Sequence, residues 1–312
     1  MKTVRVAVIG VGYFGSRHVD RLARLPGVII EYIVDTDSAR RDEIAARVGA
    51  SSVASFRDVI GKIDAATVAV PTQAHAEVAE ALLREGIDVL VEKPLTATLE
   101  EADRVVAAAT ASGAVLNVGH LERFNPALIA ARSRINAPRF IESHRLAPFK
   151  PRGTDVDVVL DLMIHDLDII LWLVDSPVAE VRASGVPVLT DGVDIANARI
   201  EFENGCVANV TASRVSAKSM RRLRVFQPEG YIGIDFQDRV IDSACKDASA
   251  TRGPIPGIAL DRSEFPEGDP LEAELAAFIE AVRRGKHSAA NGQEARRALE
   301  LALLICHRIR GR

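Results

Sequence analysis

The stretch Gly10-Val11-Gly12-Tyr13-Phe14-Gly15, set between an apolar strand and a helix, constrains this chain more than any other. Val4 to Ile9 is apolar at nearly every position, the pattern of a parallel strand covered on both faces. Glycines in the turn let the backbone approach a pyrophosphate. The helix that follows aims its N-terminal N–H groups and its dipole at the phosphate charge. Glycines also end strands for steric reasons alone, so the six residues need context. It comes from a second strand over residues 29–34, which ends in Asp35, 20 residues after Gly15. A carboxylate there accepts hydrogen bonds from an adenosine ribose. Strand, turn, helix and acid together predict a dinucleotide site taking NAD. Asp35 repels a 2′-phosphate and only Arg40 stands near as a cation, so NAD is expected over NADP.

A length of 312 residues is long for one core and comfortable for two domains. Hydrophobic residues make up 48% and charged residues 26%, with both signs interspersed at a net charge of −4. That balance excludes a disordered chain and a basic nucleic-acid surface. No apolar run is long enough to span a bilayer, and no signal segment precedes the first strand, so the expected compartment is the cytoplasm. Cys206, Cys245 and Cys306 stand far apart, with no spacing for a zinc site or a disulfide framework. No metal is expected, and each thiol reads as buried or inert.

Strands and helices alternate through residue 120. After the second strand, Ser38 can cap a helix to about Val48. Ala65 to Val70 is a strand stopped by Pro71, with a helix from about Ala74 to Glu85 after it. Val89–Val91, a helix over 99–111 and Val115–Val118 complete the pattern. Single helices between strands imply right-handed crossovers and a doubly wound parallel sheet. Beyond Leu121 the grammar changes. A helix from Pro126 and a long apolar helix over 156–174 frame one strand near Phe140–Leu146. Strands then follow without intervening helices. Ile195–Phe202 and Val207–Val215 flank Asn204-Gly205, a tight hairpin signal, and Pro228-Glu229-Gly230 marks another turn. Ala248–Asp269 reads as an ordered surface loop, and two helices close the chain. The expected fold is α/β: a Rossmann domain over 1–120 and an α+β domain over 121–312, whose open sheet is mostly antiparallel. That sheet needs cover on one face, with Val207, Val210, Val225 and Ile232 to offer, and predicts a homo-dimer or homo-tetramer.

Two clusters carry chemistry. Glu92-Lys93-Pro94 follows a strand at its carboxyl end, where ligands bind in open α/β sheets. Lys93 there can support developing alkoxide charge; the alternative is a surface lysine paired with Glu92. In the apolar helix, Asp161, His165 and Asp168 share one stripe at helical spacing. Buried polar groups must face partners or a cleft. His165 suits proton transfer and Asp161 can set its tautomer or contact substrate; the alternative is a structural His–Asp pair. Nicotinamide, an uncharged histidine and a lysine together fit dehydrogenation of a secondary alcohol. Lys150 and Arg152, entering the same helix, can grip a diphosphate, or belong to a solvated basic loop.

On Gly10–Gly15, Val70-Pro71-Thr72 with His75, Glu92-Lys93-Pro94 and Asp161 to Asp168, the chain resembles the glucose–fructose oxidoreductase/inositol dehydrogenase/MocA (Gfo/Idh/MocA) family over almost its full length. The resemblance implies a catalytic group of Lys93, Asp161 and His165 at the domain interface. It also places Pro71, Thr72 and His75 beside the cofactor, with Thr72 as a helix N-cap being compatible with this. Asn117–Pro126 and Pro148–Asp155 are similar to the subgroup of UDP-N-acetylglucosamine 3-dehydrogenases. That similarity implies Glu122 and Arg123 near nicotinamide and sugar, and oxidation at C3 on the way to diamino-sugar lipid A. Two other functions fit less of the pattern. A dehydrogenase of a free sugar or inositol gives Lys150 and Arg152 nothing anionic to hold. A cofactor-sensing regulator has no need of Lys93, Asp161 and His165 together.

Overall fold

The computed structural model describes residues 2–150, 157–250, 255–285 and 291–311. Its N-terminal part alternates β1 (Val4–Ile9), α1 (Tyr13–Leu22), β2 (Val28–Val34), α2 (Ser38–Val48), β3 (Ser51–Val53), β4 (Ala65–Val68), α3 (Thr72–Arg84), β5 (Asp88–Val91), α4 (Leu99–Ser112) and β6 (Leu116–Val118). The strands pair in parallel in the order β3-β2-β1-β4-β5-β6, so the expected doubly wound sheet is present. In β1 every residue but Arg5 is buried, because helices cover both faces. The cap of α2 differs from expectation: Asp37, not Ser38, holds extended backbone and accepts the Arg40 N–H at 3.1 Å.

The rest of the chain holds α5 (Pro126–Arg132), β7 (Phe140–Leu146), a π-helical turn (Val159–Met163), α6 (Ile164–Val174), β8 (Val178–Val186), β9 (Ile195–Phe202), β10 (Val207–Ser213), β11 (Met220–Gln227), β12 (Gly230–Asp235), β13 (Val240–Lys246), β14 (Ile258–Glu264), α7 (Pro270–Arg284) and α8 (Gly292–Arg310). The second sheet runs β14-β13-β12-β11-β7-β10-β9-β8, antiparallel except where β10 lies parallel to β7. Its inner face packs Val210, Val225 and Ile232 with Leu128, Leu167, Ile170 and Ile305 in one core. Each such side chain contributes about 1.5–3 kcal/mol on burial.

Packing divides the chain into two units, Met1–Leu121 with Asp269–Arg296, and Glu122–Gly268 with Arg297–Arg312. The expected single cut at 120/121 therefore misassigns residues 269–296. Leu271, Leu275, Phe278 and Ile279 of α7 bury among Val6, Val8 and Leu22, so their apolar stripe completes the first core. Val210, Val225 and Ile232 also face opposite to expectation: strand alternation turns them inward, leaving Val207 on the outer face. Residues 248–269 include a strand, β14 (Ile258–Glu264), which carries Asp261, Arg262 and Glu264 because it is an edge. Cys206 and Cys306 are buried, with burial pushing each thiol up to about 11, but Cys245 is exposed.

Candidate active site

The glycine turn satisfies two different demands. Gly10 has φ +82°, and a Cβ there would lie 2.7 Å from the Ala69 carbonyl oxygen; a Cβ on Gly15 would lie 1.8 Å from the Gly10 oxygen. Both glycines are required by the chain's own packing. Gly12 is not: a Cβ there meets nothing within 4 Å among the described residues. It caps α1 without a side-chain hydrogen bond, and no acid stands in the first turn. The positive end of α1 is therefore left uncrowded at Gly12, a cradle that fits a pyrophosphate. Exposed Tyr13 and Phe14 flank it, with the Arg17 guanidinium 4.4 Å over the Tyr13 ring. Gly12→Ala is expected to keep the melting temperature of the apoprotein within a few degrees while weakening NAD at least about tenfold, roughly 1.4 kcal/mol. Gly15→Ala is expected to destabilise the apoprotein by about 1–3 kcal/mol. Thermal unfolding beside cofactor titration checks both; equal NAD affinity in Gly12→Ala would refute the cradle.

Asp35 follows β2 and does more than the sequence disclosed. Oδ2 accepts the Val11 N–H at 2.8 Å and Oδ1 the Asp37 N–H at 2.9 Å, so the carboxylate pins the glycine turn and keeps further lone pairs for a ribose. Arg40 is paired with Asp37 at 3.2 Å, and Arg41 donates to the Asp35 main-chain oxygen at 3.3 Å.

Lys93 follows β5 and is half-buried. Glu92 points inward, where its Oε1 lies 3.0 Å from His18 Nε2 and its Oε2 accepts the Lys93 N–H at 3.3 Å. Burial pushes the Glu92 carboxyl up, but His18 and Lys93 together hold it below the ordinary carboxylate range. The tightness extends to Gly119, where a Cβ would sit 3.0 Å from Glu92 Oε2. His18 is fully buried one turn into α1, so Glu92 ties the cofactor helix to the lysine loop. Neither His18 nor Gly119 announced this in the sequence, because the pairing spans 74 residues. His75 is likewise an internal brace: its ring nitrogens lie 2.9 Å from the carbonyl oxygens of Val70 and Pro94. Burial lowers its pKa despite those two acceptors. Pro71, not Thr72, occupies the N-cap of α3, and Thr72 is half-buried in its first turn.

In the second unit, the expected continuous helix is a π turn carrying Asp161, followed by α6 with His165 as its second residue. Both side chains are half-buried. The widened turn takes Asp161 out of regular helical register with His165 and Asp168, which share α6. Asp168 is engaged elsewhere. It is 1% exposed and takes Arg123 in a bidentate pair, at 2.7 and 2.6 Å. Arg123, 4% exposed, also lies over Trp172, so its guanidinium is committed inside the unit. Glu122 is committed too, accepting from Arg145 Nη1 at 2.8 Å. Cutting one partner from such a pair costs about 3–5 kcal/mol. Arg145 was missed as a site residue because one arginine in an alternating strand looks like surface. Lys150 is exposed on the loop after β7, and Arg152 lies outside the described residues.

Residues 4–120 match the oxidoreductase family with an NAD-binding Rossmann fold, and residues 128–233 match the Gfo/Idh/MocA C-terminal domain. This chain belongs to the Gfo/Idh/MocA oxidoreductase family. It is 36% identical, over 97% of its length and 96% of the other's, to a UDP-N-acetylglucosamine 3-dehydrogenase of Acidithiobacillus ferrooxidans. The solved structure of that enzyme superposes with a TM-score of 0.93, covering 99% of this chain and 98% of the other. A scyllo-inositol 2-dehydrogenase (NAD(+)) of Bacillus subtilis is 29% identical over 91% of this chain and 87% of that protein. Within the Gfo/Idh/MocA frame the glycine turn, Asp35 and Lys93 fall in the Rossmann match, and Asp161 and His165 in the C-terminal one.

Proposed function

We propose that this chain oxidises the C3 hydroxyl of UDP-N-acetylglucosamine with NAD. The near full-length identity to the Acidithiobacillus enzyme carries this reading, and Lys93, Asp161 and His165 support it. When bound, NAD supplies the two-electron acceptor. Gly10, Gly12, Gly15 and Asp35 hold the dinucleotide, with Tyr13, Phe14, Pro71, Thr72 and Glu92 around it. His165 takes the C3 hydroxyl proton, Lys93 donates a hydrogen bond to the same oxygen, and Asp161 orients the histidine. Lys150 and Arg152 hold the diphosphate, so remote binding energy orients the sugar. The resulting ketone suits transamination, the step toward diamino-sugar lipid A. No helix among the described residues is long and apolar enough to cross a membrane, and the proposed compartment is the cytoplasm.

The inositol dehydrogenase relative favours one competitor, a free-polyol substrate. Steady-state kinetics decides between them. UDP-N-acetylglucosamine is expected to exceed scyllo-inositol in kcat/KM, and NAD to exceed NADP by more than about tenfold, since Arg40 and Arg41 are already engaged. A preference for inositol sinks the nucleotide-sugar reading; comparable kcat/KM for the two cofactors sinks the assignment of Asp35.

We also propose that a second copy covers the outer sheet face. Val207, Phe140, Phe226, Tyr231, Ala244 and Leu260 stand opposite one another in a row across β10, β7, β11, β12, β13 and β14. The next row out of the same face is charged, with Glu142, Arg224, Asp242 and Arg262. An apolar row of this length on one face suits a partner's surface. Sedimentation should give at least a dimer, and a monomer at micromolar concentration would count against it.

A further inference from the structure

His165 stands between two buried ion pairs. Asp166, next to it in α6, is 1% exposed and takes Arg145 of β7 through Nε at 2.7 Å and Nη2 at 3.3 Å. Ser143 Oγ donates to the same carboxylate at 2.8 Å. Asp168, three residues beyond His165, holds Arg123 in the bidentate pair described above. Successive residues of an α-helix turn by about 100°, so Asp166 lies about 100° to one side of His165 and Asp168 about 60° to the other. The helix cannot roll either way about its axis without breaking one pair. The clamp also sits in the first turns of α6, directly after the π turn that carries Asp161.

A fully buried pair adds little net stability over an apolar packing of the same volume, and its best-attested use is to fix register. Two buried ion pairs whose carboxylates lie one and three residues from a half-buried histidine need such a use. We propose that Arg145 and Arg123 are positioning residues for His165, locking the rotation and height of α6 through Asp166 and Asp168. Neither touches the reacting atoms. Their effect passes through the helix, and a displacement of about 1 Å at a reacting group is enough to cost about 100-fold in rate. The inference rests on the reading of His165 as the proton acceptor.

The test compares Arg145→Lys and Asp168→Asn with wild type and with His165→Asn, at saturating NAD and UDP-N-acetylglucosamine. Lysine keeps the charge of Arg145 but loses the two-point grip, and asparagine keeps the shape of Asp168. Both variants are expected to lose about 10- to 100-fold in kcat per folded molecule, with KM within about threefold and NAD affinity within about twofold. In protein carrying labelled histidine, the His165 ring resonances, assigned by their absence from His165→Asn, are expected to move. A structural role alone would lower the melting temperature and leave kcat and the ring signal in place; that result overturns the inference. Full activity in His165→Asn instead overturns the proton-acceptor reading, while the ring signal still reports on the clamp. Should both variants fail to fold, wild type decides: a single, restricted His165 ring signal supports the clamp, and a motionally averaged one refutes it.

Discussion

His165→Ala is expected to lower kcat by about 10²–10⁴-fold while NAD affinity stays within about twofold of wild type. The residue is the second of α6 and half-buried, while the turn before it is π-helical and carries Asp161. Such turns concentrate at functional sites because they widen the backbone and re-aim side chains. Oxidising a secondary alcohol needs a base for the hydroxyl proton as the C3–H bond breaks, and the imidazole is the group placed for it in this reading. The dinucleotide cradle belongs to the other unit, built from Gly10, Gly12, Gly15 and Asp35, so its affinity should survive. Pre-steady-state kinetics beside cofactor titration on folded protein checks this; unchanged turnover removes His165 from the mechanism.

Lys93→Ala is expected to cost about 10²–10³ in kcat, the scale of losing one positioned donor to a developing oxyanion. The lysine loop is set from beneath rather than left to solvent. Glu92 faces inward to His18, Gly119 packs against that carboxylate, and His75 spans the carbonyls of Val70 and Pro94. That support runs mainly through His18, Gly119 and His75, so the alanine variant should melt within a few degrees of wild type. Lys93→Arg retains charge but not length or shape and should recover little. A Lys93→Ala enzyme within threefold of wild type in kcat would return the lysine to the alternative of a surface residue paired with Glu92.

The first sheet was legible because its signals are local. Val4–Ile9, the glycines and the alternation of strand and helix each report on neighbours in sequence, and the parallel sheet they predict is present. What the sequence hid depends on distant partners. Nothing local in the sequence pairs Arg145 with Asp166 or Arg123 with Asp168; the fold joins them across 21 and 45 residues. Regular helical spacing grouped Asp161, His165 and Asp168; the π turn moves Asp161 out of that spacing, and Arg123 takes Asp168. β14 was read as loop because an edge strand exposes one side and keeps its charges. α7 carries an amphipathic stripe that any core could take, and only the fold shows it completing the first. The place of Asp35 after the second strand was legible in the sequence, but its hold on Val11, 24 residues away, was not.

The central claim, oxidation at C3 of UDP-N-acetylglucosamine, is tested most directly by trapping the ketone. The enzyme is incubated with NAD and UDP-N-acetylglucosamine, quenched with borodeuteride, and the sugar examined by mass spectrometry and NMR. Trapping reads the product even where the equilibrium lies toward the alcohol. Deuterium at C3, absent without NAD and absent with His165→Ala, is the predicted result. Unlabelled UDP-sugar, beside deuterium entering scyllo-inositol under the same conditions, would contradict it.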